Sequence, residues 1–233
     1  MEVNKEKYAA DLSIQEARAR SSLHAISGRR LFFKYECFQK GEVSIFRGAR
    51  NAIFSLDDQQ AAEGVVTHSS GNHAAELALA AKLGSLHMEE TAANVLQETG
   101  AALTHAHDDG RIISGQGTIS LELLEQAPHI DTIRVPISGG GLKSGVALAA
   151  NGGRIVTLPE TNTVADGLRA FLGEFTWIYS LYVDNVITVD DTEKIKAMRL
   201  CYEILKVAVE PSGAIGLAGV LSDSFRNNPA WKE

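Results

Sequence analysis

Two short segments carry residue types that could do chemistry. The first reads Pro136-Ile137-Ser138-Gly139-Gly140-Gly141-Leu142. Residues 131–137 before the glycines read as a strand, and residues 142–150 after them as a helix. Consecutive glycines let backbone N–H groups turn toward one point, and a helix start adds its own unpaired N–H groups. Together they make an anion nest suited to a phosphate. A plain tight turn needs only one glycine, so three in a row favour the phosphate reading. The segment is neither a P-loop nor a dinucleotide fingerprint: Lys143 lacks the GxxxxGK[ST] spacing, and no GxGxxG is present.

The second segment is Thr67-His68-Ser69-Ser70-Gly71-Asn72-His73. It lies between a strand over residues 64–67 and an alanine-rich helix over residues 73–83. Hydroxyls, an amide and a helix N-terminus converge there, a combination able to hold a carboxylate. Ordinary capping of the helix by Ser70 or Asn72 is the alternative. A seven-residue polar turn with two histidines is more than a cap needs.

The elements that position these segments alternate between strand and helix. Residues 13–26 are helix-like, 30–36 read as a strand and 48–54 as a short helix. Further helices are expected over 91–103, 115–126, 192–207 and 215–221. The last of these is led in by Pro211-Ser212-Gly213-Ala214. The alternation predicts an α/β fold with a mainly parallel sheet. Asn151-Gly152-Gly153-Arg154 is the clearest linker-like stretch, and residues 84–87 make an abrupt join.

The composition fits a soluble globular chain of 233 residues, with 45% hydrophobic and 22% charged residues. A net charge of −7 and a pI near 5.5 argue against a nucleic-acid partner. Cys37 and Cys201 are too scattered for a zinc site or a disulfide framework and read as reduced thiols. Neither a secretory signal nor a membrane span is expected, and the localisation expected is cytoplasmic.

The motifs occur in a familiar order. Thr67–His73, Gly115-Gln116-Gly117-Thr118, Pro136–Leu142, Ala165-Asp166-Gly167 and Val209-Glu210-Pro211-Ser212-Gly213-Ala214 resemble the fold-type II pyridoxal-phosphate (PLP) enzymes. The resemblance is closest to the serine racemase/threonine dehydratase family, particularly its plant-like members. It implies twisted, mainly parallel sheets flanked by helices, in one unit spanning residues 1–233 with the remnant of a small domain at about 49–105. It also implies PLP as cofactor, a small amino acid such as serine as substrate, and a homodimer. Ser138, Gly139, Gly140, Gly141 and Leu142 would cradle the cofactor phosphate. Asn72 would bond the ring hydroxyl, Gly167 would lie beside the ring, and Glu210 would lie near its distal edge. Ser69, Ser70, Asn72 and His73 would hold the substrate carboxylate, and Ser70 would be a base at the α-carbon.

The pattern breaks at one decisive place. The family carries its Schiff-base lysine shortly before an Arg-Gly-Ala segment, here Arg47-Gly48-Ala49, and in that register the lysine position is Ile45. Lys40 would need a shifted backbone to substitute. The resemblance further implies a missing strand and helix after Gly84, a missing acidic cation-binding loop after Ala150, and a missing last strand. It also puts Asp108 where an asparagine is expected. Racemisation of L-serine to D-serine and its elimination to pyruvate and ammonia are therefore expected to be impaired. The rival readings are an inactive remnant that binds phosphate, PLP or a homologous subunit, and a generic nucleotide-binding domain that the absent fingerprints disfavour.

Overall fold

The structure, a computed structural model, describes residues 15–16, 21–67, 71–83, 88–89, 100–150, 183 and 185–227. Its organising element is a parallel sheet built on two buried valines. Val65 and Val66 form β3 (Val65–Val66), flanked by β4 (Met88–Glu89) and β5 (Ala102–Leu103) in the order β4-β3-β5. Both pairings are parallel, with Val65 opposite Met88 and Ala102. A parallel partner cannot follow through a hairpin, and α4 (Asn72–Leu83) supplies the crossover from β3 to β4. Alanine and leucine favour that helix, and Ala74, Leu77, Ala80 and Ala81 form its buried stripe. A mixed α/β architecture with a parallel sheet is thus what the alternation predicted.

Several expected boundaries are corrected. Residues 15–16 are not helical: they form β1 (Gln15–Glu16), antiparallel to β2 (Phe32–Phe33), and α1 is confined to Ser21–Ser27. The strand expected over 30–36 shrinks to β2, because Glu36–Phe38 closes a 3-10 turn. Residues 102–103 pair with β3 instead of ending a helix, since the ladder beside a buried strand outweighs local propensity. A short strand, β4, follows Gly84 at Met88–Glu89. Residues 131–137 form no strand, because no described strand offers them a ladder. The linker-like residues 151–154 lie outside the described residues.

Helices α2 (Phe46–Phe54) and α6 (Gly141–Ala150) both pack against α5 (Gly110–Gln126), and α2 also packs against α4. The Gly115-Gln116-Gly117 motif lies inside α5 and marks two helix crossings. A Cβ on Gly115 would stand 2.5 Å from the Arg47 carbonyl oxygen, and one on Gly117 would stand 3.0 Å from that of Gly145. On the facing helix, a Cβ on Gly145 would stand 2.3 Å from the Ile113 oxygen. Glycine at these positions lets backbones touch where any side chain would hold them apart. Helix α5 starts well before residue 115 because Asp109 caps it, accepting from the Arg111 N–H at 2.7 Å.

A buried ion network joins these helices. Arg47, 1% exposed, donates from Nε and Nη2 to the Glu36 carboxylate at 2.7 and 3.0 Å, and from Nη1 and Nη2 to the Glu122 carboxylate at 2.6 and 2.9 Å. Lys34 adds a second contact to Glu122 at 2.8 Å. Burial alone would lower the Arg47 pKa, but Glu122 and Glu36 outweigh it and hold the guanidinium charged.

The C-terminal half packs a second core. The helix expected over 192–207 is α7 (Asp191–Leu200), followed by a π-helical turn at Cys201–Leu205 that Lys206 closes in a left-handed conformation. Asp190 and Glu193 form a capping box at the start of α7. Helix α8 (Pro211–Leu221) begins at its proline, earlier than expected, since the first helical position tolerates a missing N–H. A short α9 (Asp223–Arg226) follows, as α3 (Asp58–Glu63) does earlier, and neither was expected. Cys201 is buried in this core and Cys37 packs against it; both thiols are free. Among the described residues no helix is long and apolar enough to cross a membrane.

Candidate functional site

The carboxyl edge of the parallel sheet is the natural place for a ligand in an α/β fold. Thr67 and Thr104 leave the adjacent strands β3 and β5 there. Both hydroxyls are buried, and neither has a hydrogen-bond partner among the described residues. Two orphaned polar groups at a sheet edge are a site's signature rather than a core's.

The glycine cradle sits where the sequence placed it, at the start of a helix. Gly140 has φ +96, a conformation L side chains rarely adopt, and α6 begins at the next residue. Across that start the Ser144 N–H donates to the Gly140 oxygen at 2.8 Å, and the amides of a helix's first turn have no acceptor inside the helix. Two of the three glycines are required by close approach. A Cβ on Gly139 would collide with the His107 ring at 2.3 Å, and one on Gly141 would meet the His107 carbonyl oxygen at 2.9 Å. The turn thus combines a positive-φ glycine, a helix start and no side chain to obstruct it. A phosphate monoester fits this donor set.

The second segment is partly described. Asn72 opens α4 and is exposed, whereas His73 is buried. The Ala74 and Ala75 amides donate to the Gly71 oxygen, at 3.0 and 3.3 Å. His68, Ser69, Ser70 and Gly167 lie outside the described residues. Glu210 caps the start of α8 without a side-chain bond. The backbone N–H of Asp108 donates to His105 Nδ1 at 3.0 Å.

Ile45 is the N-cap residue of α2, half-buried, with helical backbone angles and no capping bond. Its neighbour Phe46 is fully buried in the core shared with Leu77 of α4, which fixes this end of α2 against that helix. Lys40 is exposed at the opposite end of the loop. Between them Gly41 and Glu42 both adopt positive φ, +82 and +67.

Three residues at this edge escaped the sequence analysis. The Glu76 carboxyl is pressed onto Gly41, where it occupies the space of a Cβ. It is 4% exposed, and its Oε2 has no hydrogen-bond partner among the described residues. Burial pushes its pKa up to about 7. Lys143, 1% exposed on the first turn of α6, is pushed down to about 8, again by burial. His107 lies on the cradle. A helical wheel could have exposed Glu76, which sits three residues after His73 and four before Ala80, both buried. Nothing local announces His107. Among the described residues no group of three His, Cys, Asp or Glu side chains could hold a metal ion.

Residues 17–89 match the family model described as "Pyridoxal-phosphate dependent enzyme". The chain is 52% identical to the serine racemase of Arabidopsis thaliana, covering 100% of this chain and 92% of that protein. That alignment runs over 305 residues, longer than this chain, so stretches of the relative have no counterpart here. It is 34% identical to the beta-hydroxyaspartate dehydratase of Paracoccus denitrificans, over 88% of this chain and 84% of that one. Among solved structures, maize serine racemase superposes with a TM-score of 0.88 at 48% identity, covering 96% of this chain and 85% of that one.

Proposed function

Because the chain belongs to the family of PLP-dependent enzymes that includes the serine racemases and related dehydratases, we propose that it keeps their cofactor site but turns over poorly. The reactions in question are conversion of L-serine to D-serine and its elimination to pyruvate and ammonia. One observation carries the reading: the residue capping α2, two before Arg47, is Ile45. Its side chain has no nitrogen with which to hold an aldehyde or to take a proton.

PLP, when bound, supplies an electron sink for charge developing at a substrate α-carbon. The protein's part is to hold the phosphate, orient the amino acid and move the proton. The turn of Ser138, Gly139, Gly140, Gly141 and Leu142 would hold the phosphate, and by family resemblance Asn72 and Gly167 would meet the ring. Ser69, Ser70, Asn72 and His73 would receive the carboxylate, and Ser70 would exchange a proton with one face of the α-carbon. With Ile45 at the lysine position the base expected on the other face is lost, and losing one general base costs about 10²–10⁴-fold in rate. The same observation favours a second reading, a catalytically silent member that binds PLP or a complete homologous subunit.

Incubation with PLP, borohydride reduction and peptide mass mapping test this directly. We expect no pyridoxyl adduct on the natural chain and little pyruvate or D-serine from L-serine. Ile45→Lys is expected to acquire an adduct at residue 45. An adduct on the natural chain accompanied by D-serine formation would overturn the proposal.

A further inference from the structure

The glycine cradle carries a feature that a phosphate turn does not require. The ideal Cβ position of Gly139 lies 2.3 Å from Cγ, 2.3 Å from Nδ1 and 2.4 Å from Cδ2 of His107. Three nearly equal distances mean that the α-carbon faces the plane of the imidazole rather than its edge. The backbone of the same histidine lies on Gly141, with its oxygen 2.9 Å and its Cα 3.1 Å from the ideal Cβ there. His107 therefore spans the cradle from its first glycine to its last.

The loop that carries it is braced. His105 Nδ1 accepts from the backbone N–H of His107 at 3.3 Å and of Asp108 at 3.0 Å. The two imidazoles meet edge to face, 4.7 Å between centroids and 89° between planes. The next residue, Asp109, caps α5 and is bound to Arg111 at 2.7 Å. A histidine fixed by its backbone, by a second ring and by a helix cap has little freedom to leave the cradle.

We infer that His107 is a ligand-contacting residue of the cradle, adding a hydrogen bond and, when protonated, a positive charge to a phosphate group held by residues 138–142. The inference rests on reading that turn as the phosphate site. A helix start offers partial charge and amide donors, and an imidazolium adds a full charge at the same place. The titratable groups around the ring do not duplicate this role. His105 cannot take a proton at Nδ1 without giving up two backbone bonds. Asp109 is committed to Arg111 and Asp108 follows in the chain; Lys143, on the first turn of α6, also gains charge toward pH 6, but it is the same in the natural protein and in a His107 variant and so does not account for a difference between them.

Sulfate is a suitable probe because its charge is constant from pH 6 to 8, and PLP provides the phosphate ester. Binding of each to the full chain is measured by titration calorimetry at both pH values, for the natural protein, His107→Phe and His107→Gln. The natural protein is expected to bind sulfate roughly tenfold more tightly at pH 6 than at pH 8, as a charge-assisted hydrogen bond implies. Both variants are expected to keep only a minor part of that dependence, with His107→Gln binding more tightly than His107→Phe. His107→Gln keeps the polar contact, and its unfolding midpoint serves as the control for folding. If the natural protein and His107→Phe show the same pH slope, the inference fails while the cradle reading stands. If the natural protein binds neither probe, the cradle reading fails and takes this inference with it.

Discussion

Arg47 and Lys143 ride on helices that both pack against α5, and each is 1% exposed, yet the fold treats their charges in opposite ways. Arg47 is gripped by two carboxylates and a threonine hydroxyl, and its charge is held more firmly than in water. Lys143 is pushed by burial toward the neutral form. A buried cation is tolerated when planar donors meet matched acceptors, and becomes a stability cost when desolvation dominates. The contrast separates a helical chassis built for its charges from a site edge that carries ionisable groups against the grain.

Removing the cation from the chassis should break the comparison most severely. Arg47→Met leaves Glu36 and Glu122 facing each other and is expected to cost roughly 3–5 kcal/mol in chemical denaturation. A loss below about 1 kcal/mol would show that the network is not what joins α2 to α5.

Lys143→Met should act in the opposite direction and stabilise, by up to about 3 kcal/mol near neutral pH. The folded pKa lies near 8, below the ordinary 10.5, so the unfolded chain binds the extra proton. Stability contributed by this group therefore rises from pH 8 to 10.5 and is constant below 8. The difference between natural protein and variant should close across that window, and a constant difference would exclude burial as the cause.

Glu76 sharpens the comparison from the acidic side. Its folded pKa, about 7, is raised above the ordinary 4.5, so its contribution is fully present below pH 4.5 and is lost as pH rises to 7. Glu76→Gln should remove this slope and gain on the order of 2 kcal/mol at pH 7.5 by thermal or denaturant unfolding.

Two smaller effects probe the chassis itself. Gly145→Ala places a methyl 2.3 Å from the Ile113 oxygen and should cost about 1–3 kcal/mol as α5 and α6 separate. Asp57→Ala breaks the capping box with Gln60 at the start of α3 and should cost about 1 kcal/mol. If Gly145→Ala costs no more than the cap, close backbone contact is not what orders the helices.

The local pattern foretold the parts whose reasons are local. Val65-Val66 bounded by glycine and a polar turn announced a buried strand, and the alanine run after Asn72 announced its crossover helix. The triple glycine before Leu142 announced a helix start free of side chains, and the register set on Arg47-Gly48-Ala49 is the one in which the resemblance implies Ile45 at the lysine position. Other features depended on partners distant in the chain. Residues 131–137 have strand composition but no described neighbour to pair with, while Ala102-Leu103 became a strand because β3 lies beside it.

By itself the amino-acid sequence determined the family, the fold class, the glycine turn before α6 and the isoleucine two residues before Arg47, since each follows from residue type and spacing along one stretch of chain. Only the tertiary structure decided that Gly115 and Gly145 are crossing points, that Glu76 presses on Gly41, that Lys143 is buried, and that His107 lies over Gly139. Those contacts join residues about 30 or more positions apart, and proximity at that range is created by packing, which no local pattern encodes.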